Sequence, residues 1–183
     1  QSGQIQNIGF SLYMEMLEQA VESIREGKTP NLEAPLKHGA EINLRLPALI
    51  PDDYLPDVHN RLIMYKRIAS ANSNIELKEL QVEMIDRFGI LPEQTKNLFR
   101  QTLLKLQADK LGISKIDAGD SSGRIDFEED TCVDPFKLVQ LIQQQPQKYQ
   151  FGGASQLKFT LNMDKIEQRF KAVEQLLQQL TEK

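Results

Sequence analysis

Apolar residues recur at helical spacing through most of this chain and at strand spacing through the rest. Leu12, Met16 or Leu17, Ala20, Val21 and Ile24 predict a helix from the capping residue Ser11 to about Glu26, ended by Gly27. Pro30, Pro35 and Gly39 mark residues 28–39 as a loop. Ile42, Leu44 and Leu46 then alternate with Glu41, Asn43 and Arg45, the period of a half-buried strand. A proline-rich turn follows at 47–56.

Three helices come next. The first is expected over about 57–71, with Val58, Leu62, Tyr65, Ile68 and Ala69 as its inner stripe. The second spans 74–88, capped by Ser73 or Asn74 and stopped by Gly89. The third starts at Pro92, a favoured first position, and runs to about Leu111, with Gly112 as its stop. Leu98, Phe99, Leu103, Leu106 and Leu111 are its expected inward residues.

Beyond Gly112 the pattern mixes periods. Residues 113–116 and 124–127 predict two strands joined by a turn around 118–123. Asp134 and Pro135 open a helix to about Gln145, residues 149–151 and 156–161 form a second strand pair, and a last amphipathic helix covers about 163–180. The fold class is α+β: about six helices packed on a small mixed or antiparallel sheet of roughly five strands.

Composition supports one folded domain. Of 183 residues, 40% are hydrophobic and 26% charged, enough apolar material for a core and too much for disorder. Residues 1–10 are polar and glycine-containing and read as an arm or linker, leaving 11–183 as a single domain. The opening without methionine reads as a piece of something larger. A net charge of −4 argues against a stand-alone nucleic-acid binder, although a local basic patch overrides net charge. The single cysteine fits a reducing cytoplasm, and no apolar run approaches a bilayer span.

Sites for chemistry are scarce. Gly27-Lys28-Thr29 imitates the end of a phosphate-binding loop, but position 22 is glutamate and the triplet follows a helix instead of a strand. Asp117 and Glu128 sit twelve positions apart, inclusive, as in a calcium loop; yet the sixth position, where glycine is needed, is Ser122. A hairpin turn is the better reading. His38 and His59 have no ligand at metal spacing, and the acids around Cys132 are the wrong company for a nucleophilic thiolate, which leaves a buried or idle thiol. No catalytic residue, metal site or cofactor site is expected in this chain, and it does not read as an enzyme.

Two surfaces are left as binding candidates. Arg61, Lys66 and Arg67 on one helix, and Lys165, Arg169 and Lys171 on the last, are the basic groups available to nucleic acid; acids interleave them and no tryptophan accompanies them. The second helix carries the other surface. At 100° per residue Leu77, Leu80, Met84 and Phe88 gather on one side, while Glu76, Glu79, Glu83 and Asp86 line up roughly opposite. Four like charges in a row repel, and a basic partner relieves them. The plain alternative is a solvated helix face.

Three segments carry a family resemblance: Leu46-Pro47-Ala48-Leu49-Ile50-Pro51-Asp52-Asp53-Tyr54-Leu55-Pro56-Asp57, the run Arg61 to Ala69, and Glu83-Met84-Ile85-Asp86-Arg87-Phe88-Gly89. Together they resemble the C-terminal domain of the bacterial transcription-repair coupling factor (Mfd), with Tyr54 and Met84 as conservative variants. Gln1 to Gln4 and Ile8 to Tyr13 resemble the junction after that family's DNA translocase motor.

The resemblance implies a regulatory module without catalysis of its own. In that family the domain packs against an N-terminal module like the excision-repair protein UvrB and covers the surface that recruits UvrA. ATP and magnesium belong to the motor of the parent, which binds DNA and displaces stalled RNA polymerase. Carried onto this chain, the acidic positions of the last segment are Glu83 and Asp86, expected to meet arginines of the UvrB-like module, with Glu79 and Glu76 beside them. An accessory nucleic-acid-binding domain is the alternative.

Overall fold

A computed structural model describes residues 39–181. The helix expected over 11–26, the arm 1–10 with its boundary, and His38 lie outside the described residues.

The first strand, β1 (Glu41–Asn43), is shorter than its alternating pattern suggests. Leu44 turns into the core, and Arg45 takes a positive φ of 54°, which an extended strand cannot contain. The Arg45 side chain then reaches Asp117 at 3.1 Å. Three helices follow: α1 (Val58–Ser70), α2 (Asn74–Phe88) and α3 (Glu93–Leu111). Asp57 caps α1 by accepting from the His59 N–H, and Ser73 caps α2 by accepting from the Glu76 N–H. Gly112 closes α3 in the left-handed conformation, φ 70° and ψ 40°.

The remaining elements are β2 (Ile113–Ala118), β3 (Ser122–Phe127), α4 (Pro135–Gln144), β4 (Tyr149–Phe151), β5 (Gln156–Thr160) and α5 (Ile166–Thr181). Five helices therefore accompany five strands among the described residues. The sheet order is β1-β2-β3-β5-β4. β1 runs parallel to β2, with Ile42 opposite Ile116, and every other pairing is antiparallel. The mixed sheet and the α+β class are as expected. The suspected calcium stretch is the β2–β3 hairpin, closed by a Gly119 N–H that donates to the Ser122 carbonyl at 2.8 Å.

Two apolar clusters hold these elements. Ile116, Ile125, Leu157 and Phe159 cover one face of the sheet and pack with Leu104 and Ala108 of α3, Leu138 and Leu141 of α4, and Phe170, Val173 and Leu177 of α5. Ile50, Leu55, Met64, Ile68, Leu77, Leu80, Met84, Leu91 and Phe99 form the second cluster among α1, α2 and α3. Helix α3 serves both. Leu98, Leu103 and Leu106 lean on the second cluster, while Leu104, Ala108 and Leu111 belong to the first. The stripe on α1 is rotated in part from expectation: Ile68 is buried and Tyr65 packs on the second cluster as expected, but Met64 is buried with them, whereas Val58 is 59% exposed and Ala69 is exposed. The contacts of α1 with α2 and α3 run through that rotated stripe.

The proline-rich segment 47–56 is tied down by polar contacts. The Leu49 N–H donates to the Gln94 carbonyl at 3.1 Å, and the buried Thr95 hydroxyl donates back to the Leu49 carbonyl at 3.0 Å. The Ile50 N–H donates to the Tyr65 hydroxyl at 2.7 Å, and Arg61 Nη1 donates to the Leu55 carbonyl at 2.9 Å. The Tyr54 hydroxyl donates to the Gly89 carbonyl at 2.8 Å, just past the end of α2. Much of the quoted family signature is thus a set of ties that fixes α2 on α1 and α3. Among the described residues no helix is long and apolar enough to cross a membrane.

Candidate functional site

Helix α2 buries Leu77, Leu80 and Met84, with Phe88 half-buried beside the Tyr54 ring, centroids 6.2 Å apart. The four expected carboxylates occupy three different settings. Glu76 accepts from the Asn72 N–H at 2.7 Å while its own N–H donates to the Ser73 hydroxyl, so its carboxylate helps close the helix start. Its charge also sits at the positive end of the helix dipole. Glu83 accepts from Arg67, which reaches over from α1, and stands 4.0 Å from Arg87 one turn on. Glu79 and Asp86 are exposed, and among the described residues neither has a hydrogen bond or ion pair.

Glu83 was expected to be available to a partner. It is instead matched inside the domain, because α1 and α2 lie side by side and Arg67 faces it. Arg87 has a second seat over the Phe88 ring, 4.8 Å from its centroid. The carboxylates also border a groove of about 500 Å³ between α1 and α2, which Arg67, Glu76, Glu79 and Glu83 line together with the buried Ala71 and Leu80.

One feature of the outer face escaped the sequence reading. Ile75 is 69% exposed and Val82 58% exposed. With Glu79 and Asp86 they form one stripe, Ile75, Glu79, Val82, Asp86, directly away from the buried side. The signal was present, since neither Ile75 nor Val82 falls on the Leu77, Leu80, Met84 stripe at 100° per residue. An outer stripe of alternating acid and aliphatic groups offers a partner apolar contact as well as charge.

The basic candidates are largely engaged within the domain. Arg61 holds the Leu55 carbonyl, Arg67 holds Glu83, and Lys171 stands 3.6 Å from Glu167. Arg169 is buried and, among the described residues, donates to the carbonyls of Met163, Leu44 and Arg45. Lys165 is exposed and Lys66 half-buried. Cys132 is exposed, with its Sγ 3.2 Å from the Lys110 carbonyl; the thiol was expected to be buried or idle, and it lies on the surface. His59 lies exposed in the first turn of α1. Among the described residues no three His, Cys, Asp or Glu side chains gather as metal ligands would.

Residues 44–138 match the family model of the TRCF domain. The chain is 50% identical over 177 residues to the transcription-repair-coupling factor of Haemophilus influenzae, a match covering 97% of this chain and 15% of that protein. It is 45% identical over 182 residues to the transcription-repair-coupling factor of Escherichia coli, covering 100% of this chain and 16% of that one. It spans, then, less than a fifth of the length of either relative. A solved crystal structure of the C-terminal domain of transcription-repair coupling factor aligns with a TM-score of 0.65 at 26% identity, covering 78% of this chain and 94% of the other. This chain belongs to the TRCF-domain family of the transcription-repair-coupling factors.

Proposed function

We propose that this domain is a non-catalytic clamp in a transcription-repair coupling factor that works in the cytoplasm. It packs on a UvrB-like N-terminal module of the same protein and masks the surface that binds UvrA. The parent is an ATP-dependent DNA translocase, with ATP and magnesium held in its motor, that displaces stalled RNA polymerase and recruits excision repair. The single observation that carries the reading is the outer stripe of α2. Among the described residues Glu79 and Asp86 are unpaired there, interleaved with exposed Ile75 and Val82.

Isolated exposed aliphatics need no explanation. Two of them in register with two unpaired carboxylates on one helix face make a patch suited to a partner with apolar and basic groups. The mechanism is a two-state contact. A clamp worth about 3 kcal/mol holds the open form near 1%, and engagement of the motor with DNA and polymerase supplies the difference.

The test uses the full-length coupling factor carrying Glu79→Lys with Asp86→Lys. Both positions are exposed and outside the ion pairs among the described residues, so folding is preserved. UvrA affinity and basal ATPase activity rise together on this reading. Unchanged values of both would sink it.

A further inference from the structure

We infer that Arg67 is an internal competitor at the acidic face: it occupies Glu83 while the domain is undocked and yields that carboxylate to an arginine of the partner on closure. This rests on the clamp reading above. It adds the residue of this chain that sets how tightly the clamp shuts.

The geometry is unequal along α2. Glu83 has Arg67 bound to it and Arg87 at 4.0 Å, whereas Glu79 one turn before and Asp86 one turn after have no cation among the described residues. Arg87 is also seated on the Phe88 ring, so Arg67 is the cation in hydrogen-bond contact with Glu83. Both members of the Arg67–Glu83 pair are solvent-accessible, with side-chain exposures of 42% and 37%. Such pairs are weak enough to exchange, and swapping one cation for another changes affinity by no more than about fivefold.

The groove beside the pair has the shape of the exchange. Its lining combines buried, apolar Ala71 and Leu80 with Ser70 and the carboxylates of Glu76, Glu79 and Glu83. A side chain with an aliphatic stem and a cationic head lies along such a surface with its head between carboxylates. Arginine fits better than lysine, because its planar fork bridges two carboxylate oxygens at once. Arg67, reaching in from α1, already places one nitrogen, Nη1, on one Glu83 oxygen from inside the domain. A partner's arginine meets the positive charge of Arg67 before it meets Glu83. Arg67 therefore lowers the affinity of the closed contact.

The experiment compares full-length coupling factor with Arg67→Gln, Glu83→Gln and the double variant. UvrA affinity and basal ATPase activity are read at about 50 mM and about 300 mM salt, on either side of strong screening. Arg67→Gln is expected to close the clamp further, weakening UvrA binding about threefold at the lower salt, with a smaller effect at the higher. In the Glu83→Gln background most of that change disappears, because the contested carboxylate is gone. Arg67→Gln that leaves UvrA binding unchanged, or strengthens it, overturns the inference while the clamp stands. Failure of Glu79→Lys with Asp86→Lys to alter UvrA binding removes the clamp reading itself, and this inference with it.

Discussion

Arg169 Nη1 donates to the Leu44 carbonyl oxygen at 2.7 Å, joining residues 125 positions apart. The same guanidinium reaches the Arg45 carbonyl at 3.2 Å and the Met163 carbonyl from Nε at 3.2 Å and from Nη2 at 3.1 Å. Arg169 thus pins the end of β1 to the start of α5. Removing it leaves buried carbonyls without a donor. Arg169→Ala is expected to cost about 2–4 kcal/mol, and Arg169→Lys to recover less than half of it, since one ammonium cannot span carbonyls in three directions. Urea denaturation of both variants checks this.

Arg100 on α3 binds two acids of α5, Glu174 at 2.5 Å and Glu167 at 2.6 Å, and lies 4.5 Å from the Phe170 ring centroid. The Glu174 hydrogen bond, more than the second one to Glu167, raises the pKa of Arg100. The Arg100 hydrogen bond in turn holds Glu167 below the ordinary carboxylate value of 4.5. A depressed carboxylate stabilises the fold above its unfolded value, and that contribution is lost as pH falls through the lower folded value. Between about pH 5 and pH 3 the parent chain should lose more melting temperature than Glu167→Gln does. Parallel loss in the two would contradict the coupling.

Gly112 and Gly123 are confined for different reasons. Gly112 has φ 70°, and a Cβ there would stand 2.6 Å from Thr131 Cα. Asparagine commonly tolerates that backbone conformation at a helix end, but the Thr131 backbone leaves no room for its Cβ. Gly112→Asn is therefore expected to be about as damaging as Gly112→Ala, each above about 2 kcal/mol. On β3, a Cβ at Gly123 would meet the Phe159 ring and the Asp117 carbonyl oxygen at 2.7 Å. Gly123→Ala should lower the melting temperature by at least as much as either Gly112 variant.

Met84 and Val82 lie two residues apart on α2 with opposite roles. Met84 is fully buried in the second cluster, and Val82 is 58% exposed. Met84→Ala should cost about 2–5 kcal/mol, whereas Val82→Ala should stay within about 0.5 kcal/mol. On the clamp reading the order reverses in function: Val82→Asp raises UvrA affinity in the full-length protein without a change in stability. A destabilised but otherwise normal Val82→Asp variant would assign that side chain to folding instead.

The helices were legible because their signals are local. Ser73, Gly89 and Gly112 fix the ends of α2 and α3, and Asp134 with Pro135 fixes the start of α4. The hairpins were legible from short alternating runs around glycine-rich turns. What failed was set by distant residues. β1 stops at Asn43 while its alternation continues to Leu46, because Arg169 and Asp117 draw in residues 44 and 45. The inner stripe of α1 turns toward Met64 because α2 and α3, not the sequence around it, decide which side is covered. At the candidate site the row of carboxylates was visible in the chain. The pairing of Glu83 with Arg67 was not, since it depends on how two separate helices come to rest against each other.

Helix α3 is the wall that both apolar clusters share, with Phe99 facing one and Leu104 and Ala108 the other. Loss of either cluster strips one flank of the same rod, so the three-helix layer and the sheet layer melt as a single cooperative event. The amide hydrogens at the middle of α3 should be the last in the domain to exchange with deuterated solvent. A load applied at the α2 surface would then be carried through this rod to the strands, so that residues 39–181 would answer it as one body.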